Sequence, residues 1–339
     1  MPITLADQFV SFTFPEVDPD STLSVAVMRT LRVPDDNKQH QLPPGFGRFP
    51  LRRVDDLPAD RIPPTWHRHG GVVLPMWQAE AAWLLFSVTG HCRFLMKVAC
   101  GGINAVTGER YTTTPDFAAE DYFEVPEQPW LDGFCTAQGA VRQFVAMPLG
   151  QGYTVEEQLT GKAEHGGIQI AVWPLRREVH AEREAARLNA ILSAGHDDEP
   201  GGPPAVAAGA PPMGALPTGA PAGMGMGMGG SITQSITTPV EPHDNWDLTL
   251  GKQLAVHIAN STSWQAITGT EPPTRPPAAA DYARAGLPWF RWYDETAARP
   301  GSSTFGTVAS VSTLGTRRRE SPLPENETFE PPEPVIVSP

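Results

Sequence analysis

The sequence predicts an α+β fold dominated by strands, sandwich- or barrel-like, with few short helices and a disordered Gly/Pro/Met linker. Three observations carry this. Apolar residues fall mainly in short runs rich in β-branched and aromatic side chains, each closed by Pro, Gly, Asn or Asp. The pairs Gly70-Gly71, Gly101-Gly102 and Gly166-Gly167 each flank such a run, as tight turns or bulges do. Only Glu178 to Leu192 reads as a sustained helix, with Val179, Leu188, Ile191 and Leu192 set among Glu and Arg.

Phe9 to Phe14 is strand-like and ends at Pro15; Leu23 to Val33 is a second run, stopped by Pro34-Asp35-Asp36-Asn37. Residues 35–65 are proline-rich and irregular, with Phe46 and Phe49 placed to pin an extended segment onto a core. The stretch from Trp66 to Thr107 is the most apolar, aromatic and glycine-paired, and is expected at the centre of the domain. In it, Val72 to Leu74 and Phe94 to Ala99 read as strands. Trp77 to Phe86 is rich in helix formers and is expected as a short buried helix. Ala140 to Leu149 and Ile168 to Pro174 read as further strands. Thr154 and Glu157 have the spacing of a capping box, so a short helix is expected there, ending at Thr160-Gly161.

The resulting division is a β-rich main domain at 1–175, a helix at 176–193 and a disordered linker at 194–232. A C-terminal segment at 233–298 packs back on the main domain, and 299–339 is a disordered tail. The linker is low in complexity and contains Gly223-Met224-Gly225-Met226-Gly227-Met228-Gly229-Gly230. Beyond it, Gln253 to Asn260 reads as a strand, Pro272 to Pro277 as polyproline II, and Ala280 to Ala285 as a helical turn. Trp289, Phe290, Trp292 and Tyr293 place too much aromatic surface together to be left in water.

A formal net charge of −13 argues against a general nucleic-acid binder and against binding to anionic membranes. The apolar run Ala81 to Val88 falls far short of the roughly 20 residues that cross a bilayer, so no membrane insertion is expected. The N-terminus lacks the pattern of a secretory signal. Cys92, Cys100 and Cys135 are odd in number and match no zinc spacing, which suits a soluble, cytoplasmic protein with reduced, buried thiols.

His67-Arg68-His69 is the sharpest local signal for chemistry. Two histidines at i, i+2 on a strand share a face and can share a divalent metal. A third ligand would come from His91, His165, His257, Glu80 or Asp132. Cys100 before Gly101-Gly102 is a second candidate, a nucleophile beside backbone N–H groups that can form an anion hole. There is no Gly-x-Ser-x-Gly elbow, P-loop or dinucleotide fingerprint. Pro273 to Pro276 fits a P-x-x-P ligand, and Arg317-Arg318-Arg319-Glu320-Ser321 suits a basophilic kinase.

The phrases Arg142 to Gly150, Gly152 to Glu156, Ile267-Thr268-Gly269 and Gly286 to Phe290 resemble those of a family of uncharacterised bacterial proteins. The resemblance covers about 30–173 and 245–295 and skips the linker. It implies a bacterial, soluble protein whose two ordered segments belong together, and it brings no activity, cofactor or site.

The leading expectation is a non-enzymatic intracellular binding or assembly protein, with another protein or a second copy as partner. Its recognition surface would use Trp66, Trp77, Trp130, Trp289, Phe290 and Trp292 together with the proline-rich wraps. The alternative is a metal-dependent hydrolase with His67 and His69 as ligands. No catalytic residue is assigned.

Overall fold

Sixteen strands join into one sheet in a computed structural model, which describes residues 3–36, 38–194, 223–286, 290–292, 298–320 and 335–337. The first are β1 (Ile3–Ala6), β2 (Phe9–Thr13), β3 (Thr22–Thr30), β4 (Gln39–His40), β5 (Arg52–Arg53) and β6 (Val72–Met76). Then come β7 (Ala81–Thr89), β8 (Phe94–Cys100), β9 (Ile103–Asn104), β10 (Phe123–Val125), β11 (Trp130–Leu131), β12 (Gly133–Ala137) and β13 (Ala140–Pro148). β14 (Ile168–Pro174), β15 (Gly223–Thr233) and β16 (Lys252–Asn260) complete the sheet, while β17 (Phe290–Trp292) and β18 (Val335–Val337) form a separate parallel pair. The helices are α1 (Pro64–His69), α2 (Val155–Thr160), α3 (Arg177–Ala194), α4 (Ser261–Thr268), α5 (Ala279–Ala285) and α6 (Val311–Arg318). Among the described residues no helix is long and apolar enough to cross a membrane.

The main path runs β1-β2-β3-β7-β13-β15-β16-β14-β8-β10, with antiparallel neighbours throughout. Strands far apart on this path meet across a single core. Phe14, just after β2, lies 5.5 Å from Phe94 of β8, and Phe86 of β7 stacks on Phe123 of β10 at 5.5 Å. The sheet therefore curls over itself, in keeping with the sandwich- or barrel-like expectation. Thr154 caps α2 in a capping box with Glu157, and Gly161 ends the helix in the left-handed region, as the spacing predicted.

Three expectations are corrected. Trp77 to Phe86 is not a helix, because β7 occupies Ala81–Thr89. Ala82, Leu84 and Phe86 turn into the core while Ser87 and Thr89 face out, a period of two. β3 pairs along the whole length of β7, and β13 and β11 pair with it further along. Ladder bonds on both sides override the helix propensity of Ala, Leu and Glu.

The Gly-Met repeat is not linker. It forms β15, between β13 and β16 in the middle of the sheet. Met224, Met226 and Met228 are buried in the main core. On the other face, a Cβ at Gly225 would lie 2.9 Å from Thr154 Cγ2, and one at Gly227 would lie 2.7 Å from Val311 Cγ2 and 2.9 Å from Tyr153 O. Glycine is what lets α2 and α6 approach the backbone here. Consequently β16 does not pack onto a finished domain, because it fills the place between β15 and β14. The remainder of the expected linker, 195–222, lies outside the described residues.

The segment expected as tail is structured from 298 to 320. Phe305 is 2% and Val311 0% exposed. Ser310 caps α6, and the Arg318 guanidinium sits 4.5 Å over the Tyr153 ring. Ser321 of the kinase-like motif lies outside the described residues.

Gly227→Val is expected to crowd Val311 and the Tyr153 carbonyl, loosening α6 and destabilising the protein by about 2 kcal/mol. Denaturant unfolding together with limited proteolysis around 298–320 checks this. An unchanged midpoint and an uncut segment would show that the two faces of β15 are not so constrained.

Candidate functional site

The residues expected to hold a metal lie on a helix. Pro64 at the first position of α1 starts it and Gly70, at φ 62°, ends it. Trp66 anchors α1 at 5% exposure, packed with Val54, Ile62, Val73, Trp264 and Ile267. His67 and His69 are exposed. Residues two apart on a helix point roughly 200° apart, so the shared face that a strand would give them is absent. Of the five candidate third ligands, His257 packs against α1, with its ring stacked on Trp66 at 5.1 Å. Its Nε2–H donates to the Gly70 carbonyl at 2.9 Å. Burial, with a smaller effect from His69, pulls this imidazole down to about 4, so it is neutral and its Nε2 is occupied. Among the described residues no three His, Cys, Asp or Glu side chains gather as a metal site requires.

Trp66 and Trp77 hold the chain's own segments. Trp66, as a core side chain, is not available to a partner. Trp77 is half-buried and its indole N–H donates to the Thr274 carbonyl at 2.7 Å. Trp130 is half-buried and pairs with Leu85 in the sheet. Phe290 and Trp292 lie in β17; Trp289 lies outside the described residues.

Beside Trp77 sits a polar node around Glu80, a residue that the sequence offered only as a candidate metal ligand. The Glu80 carboxylate accepts the Trp77 backbone N–H at 2.9 Å and lies 3.9 Å from Arg29 Nε. Arg29 donates to the carbonyls of Phe46 and Arg275, one in each proline-rich wrap. Burial raises Glu80 to about 7.

The cysteine candidate also changes character. Cys100 is 1% exposed, and burial pushes its thiol far up. The neighbouring N–H groups already have partners: Gly101 donates to the Gly167 carbonyl at 3.1 Å and Gly102 to Gln169 Oε1 at 2.8 Å. The actual anion nest lies at 164–166, where the N–H groups of Glu164, His165 and Gly166 donate to Glu156 at 2.8, 2.7 and 2.8 Å. The chain's own carboxylate fills it.

A cavity of about 520 Å³ lies between α3 and the turn joining β7 to β8. Cys92 and His180 face each other there, with Sγ 3.5 Å from Nδ1 and 3.6 Å from Nε2. Near-equal distances place the sulfur over the ring and not in line with either nitrogen, so neither nitrogen is aimed at it. Burial raises the thiol as well. A thiol held neutral beside a misdirected imidazole is a poor nucleophile. The arginines around the cavity are paired: Arg93 with Glu127 and Glu241, Arg183 with Glu241, and Arg187 with Glu184.

α3 rises from this cavity. Val179, His180, Glu184 and Arg187 face the body. Leu188, Ile191 and Leu192 stand 47%, 53% and 82% exposed.

Glu80 and His257 give opposite pH slopes. Glu80 is raised from 4.5 to about 7, so its contribution is complete below pH 4.5 and is lost as pH rises through 7. His257 is lowered from 6.5 to about 4, so its contribution is complete above pH 6.5 and is lost as pH falls through 4. Each amounts to about 3 kcal/mol at most. Glu80→Gln is expected to stabilise the protein above pH 7 and to leave it unchanged below pH 4.5. His257→Gln, which keeps a donor for Gly70, is expected to remove the loss of stability on acidification. Unfolding of both variants across this pH range checks the signs, and a parallel shift at every pH would contradict them.

In comparisons with known proteins, no family model, no curated protein and no solved structure matches this chain.

Proposed function

We propose that this chain is a binding or assembly protein whose recognition element is the exposed apolar face of the second half of α3. The observation that supports the reading is the apolar set Leu188, Ile191 and Leu192, left in solvent on a helix whose first turns dock through His180 and the Arg183–Glu241 ion pair. Single exposed apolar residues are ordinary, but three at i, i+3 and i+4 on one projecting helix form a continuous surface of the kind that seats against a partner. The docked base fixes the direction in which the helix points, which lowers the ordering cost of binding. Trp77, expected at the surface, instead holds a proline-rich wrap of the body from which α3 projects.

The double variant Leu188→Glu/Leu192→Glu is expected to leave stability within about 0.5 kcal/mol, since both residues are exposed. Quantitative affinity capture with the full chain as bait is expected to lose the same bound protein, another protein or a further copy, in that variant. Equal capture by wild type and variant would overturn the reading.

A further inference from the structure

α3 carries a second stripe, distinct from the one that meets the body. Ala181, Ala185, Leu188 and Leu192 follow the 4-3-4 spacing of a two-helix seam and fall within about 60° of one another around the axis. All four are exposed. His180, Glu184 and Arg187, which face the body, lie roughly 100° round the helix. The stripe therefore looks outward.

We propose that this stripe pairs with the same stripe of a second copy, antiparallel and about a twofold axis. The proposal rests on the reading of α3 as a recognition element and names its partner. Residue size is the first argument. The stripe runs small, small, large, large from N- to C-terminus. Laid antiparallel on itself, Ala181 meets Leu192 and Ala185 meets Leu188, so every layer combines one small and one large side chain. A surface that is its own complement under a twofold is what a symmetric dimer interface requires. Laid parallel, two layers would hold only alanine and leave gaps, while two would hold only leucine.

Charge is the second argument, and it selects the same direction. Glu178 continues the stripe one step before Ala181. A parallel pair would set Glu178 against Glu178 in the seam, a like-charge contact that destabilises such pairs. The antiparallel pair carries each Glu178 beyond the partner's Leu192. It also places the Glu182 and Glu184 flanks beside the partner's 188–194, which contains no charged residue. Opposed helix dipoles favour the same arrangement.

The area sets the strength. Two short stripes bury well under the roughly 800 Å² per partner of a standard stable interface. The association is therefore reversible and concentration-dependent.

Sedimentation of the full chain from micromolar to near-millimolar concentration is expected to show a monomer–dimer equilibrium. Leu188→Glu/Leu192→Glu is expected to hold the chain monomeric at every concentration, with an unchanged unfolding transition. Direction is read by disulfide trapping: chains with Ala185→Cys mixed with chains with Leu188→Cys are expected to form the mixed dimer in preference to either homodimer. The native cysteines, at 1–2% exposure, do not compete. A monomer throughout, a dimer that the double variant does not alter, or homodimers trapped in preference would overturn the proposal. A monomer that still captures a different protein through Leu188 and Leu192 would overturn self-pairing and leave the reading of α3 standing.

Discussion

The architecture depends on a strand whose stretch from Gly223 to Gly230 has side chains on one face only. β15 presents Met224, Met226 and Met228 to the core, and from Gly223 to Gly230 its other face carries no side chain. Flexible thioethers fill the irregular space inside a curled sheet. The bare backbone outside lets Tyr153, Thr154 and Val311 sit against it. Without β15, β13 and β16 would be open edges in the middle of the sheet, and α2 and α6 would have no floor. The constraint acts on both faces at once, so it tolerates neither larger residues outside nor smaller ones inside.

Buried charge is handled case by case. Lys97, fully buried, pairs with Asp121 at 2.5 Å and donates to Thr112 and the Thr114 carbonyl. Glu156 takes three backbone N–H groups, the kind of solvation that makes a buried carboxylate tolerable. Glu80 and His257 are less well served, and both shift toward their neutral forms. Their opposite pH slopes partly cancel between 4.5 and 6.5, where the wild-type profile is flatter than either group alone would make it. Glu80 also links the two proline-rich wraps to the sheet through Arg29 and Trp77, so its ionisation bears on segments far apart in sequence.

The arrangement has a consistent direction: Trp66, Trp77, the backbone nest at 164–166 and the thiols are turned to internal use, while the proposed recognition element is a projecting helix. The Cys92–His180 contact and the cavity beside it lie at the root of α3. They form the socket in which the helix is seated, with Arg183 and Arg187 tied to Glu241 and Glu184. A rigid base under a free apolar end suits a helix that engages a partner without refolding.

Local patterns determined much of this protein. β2, β3, β8, β13, β14 and β16 follow from runs of period-two or buried apolar residues closed by turn residues. α2 follows from Thr154 and Glu157, and α3 from its length and charge pattern. These features are legible because each is fixed by neighbours within a few residues. Tertiary structure decided the rest. Ala81 to Phe86 favours helix locally, and becomes a strand because β3 and β13 supply ladder partners on both sides. The Gly-Met repeat looks too poor in apolar surface to fold, and folds because its glycines are useful only once α2 and α6 lie over them. His67 and His69 were read with a strand's spacing, and the helical turn begun by Pro64 sends them apart. Trp66 and Trp77 read as surface because a sequence does not say what will cover an aromatic ring. That cover comes from segments such as Trp264 and Thr274, nearly two hundred residues away from Trp66 and Trp77.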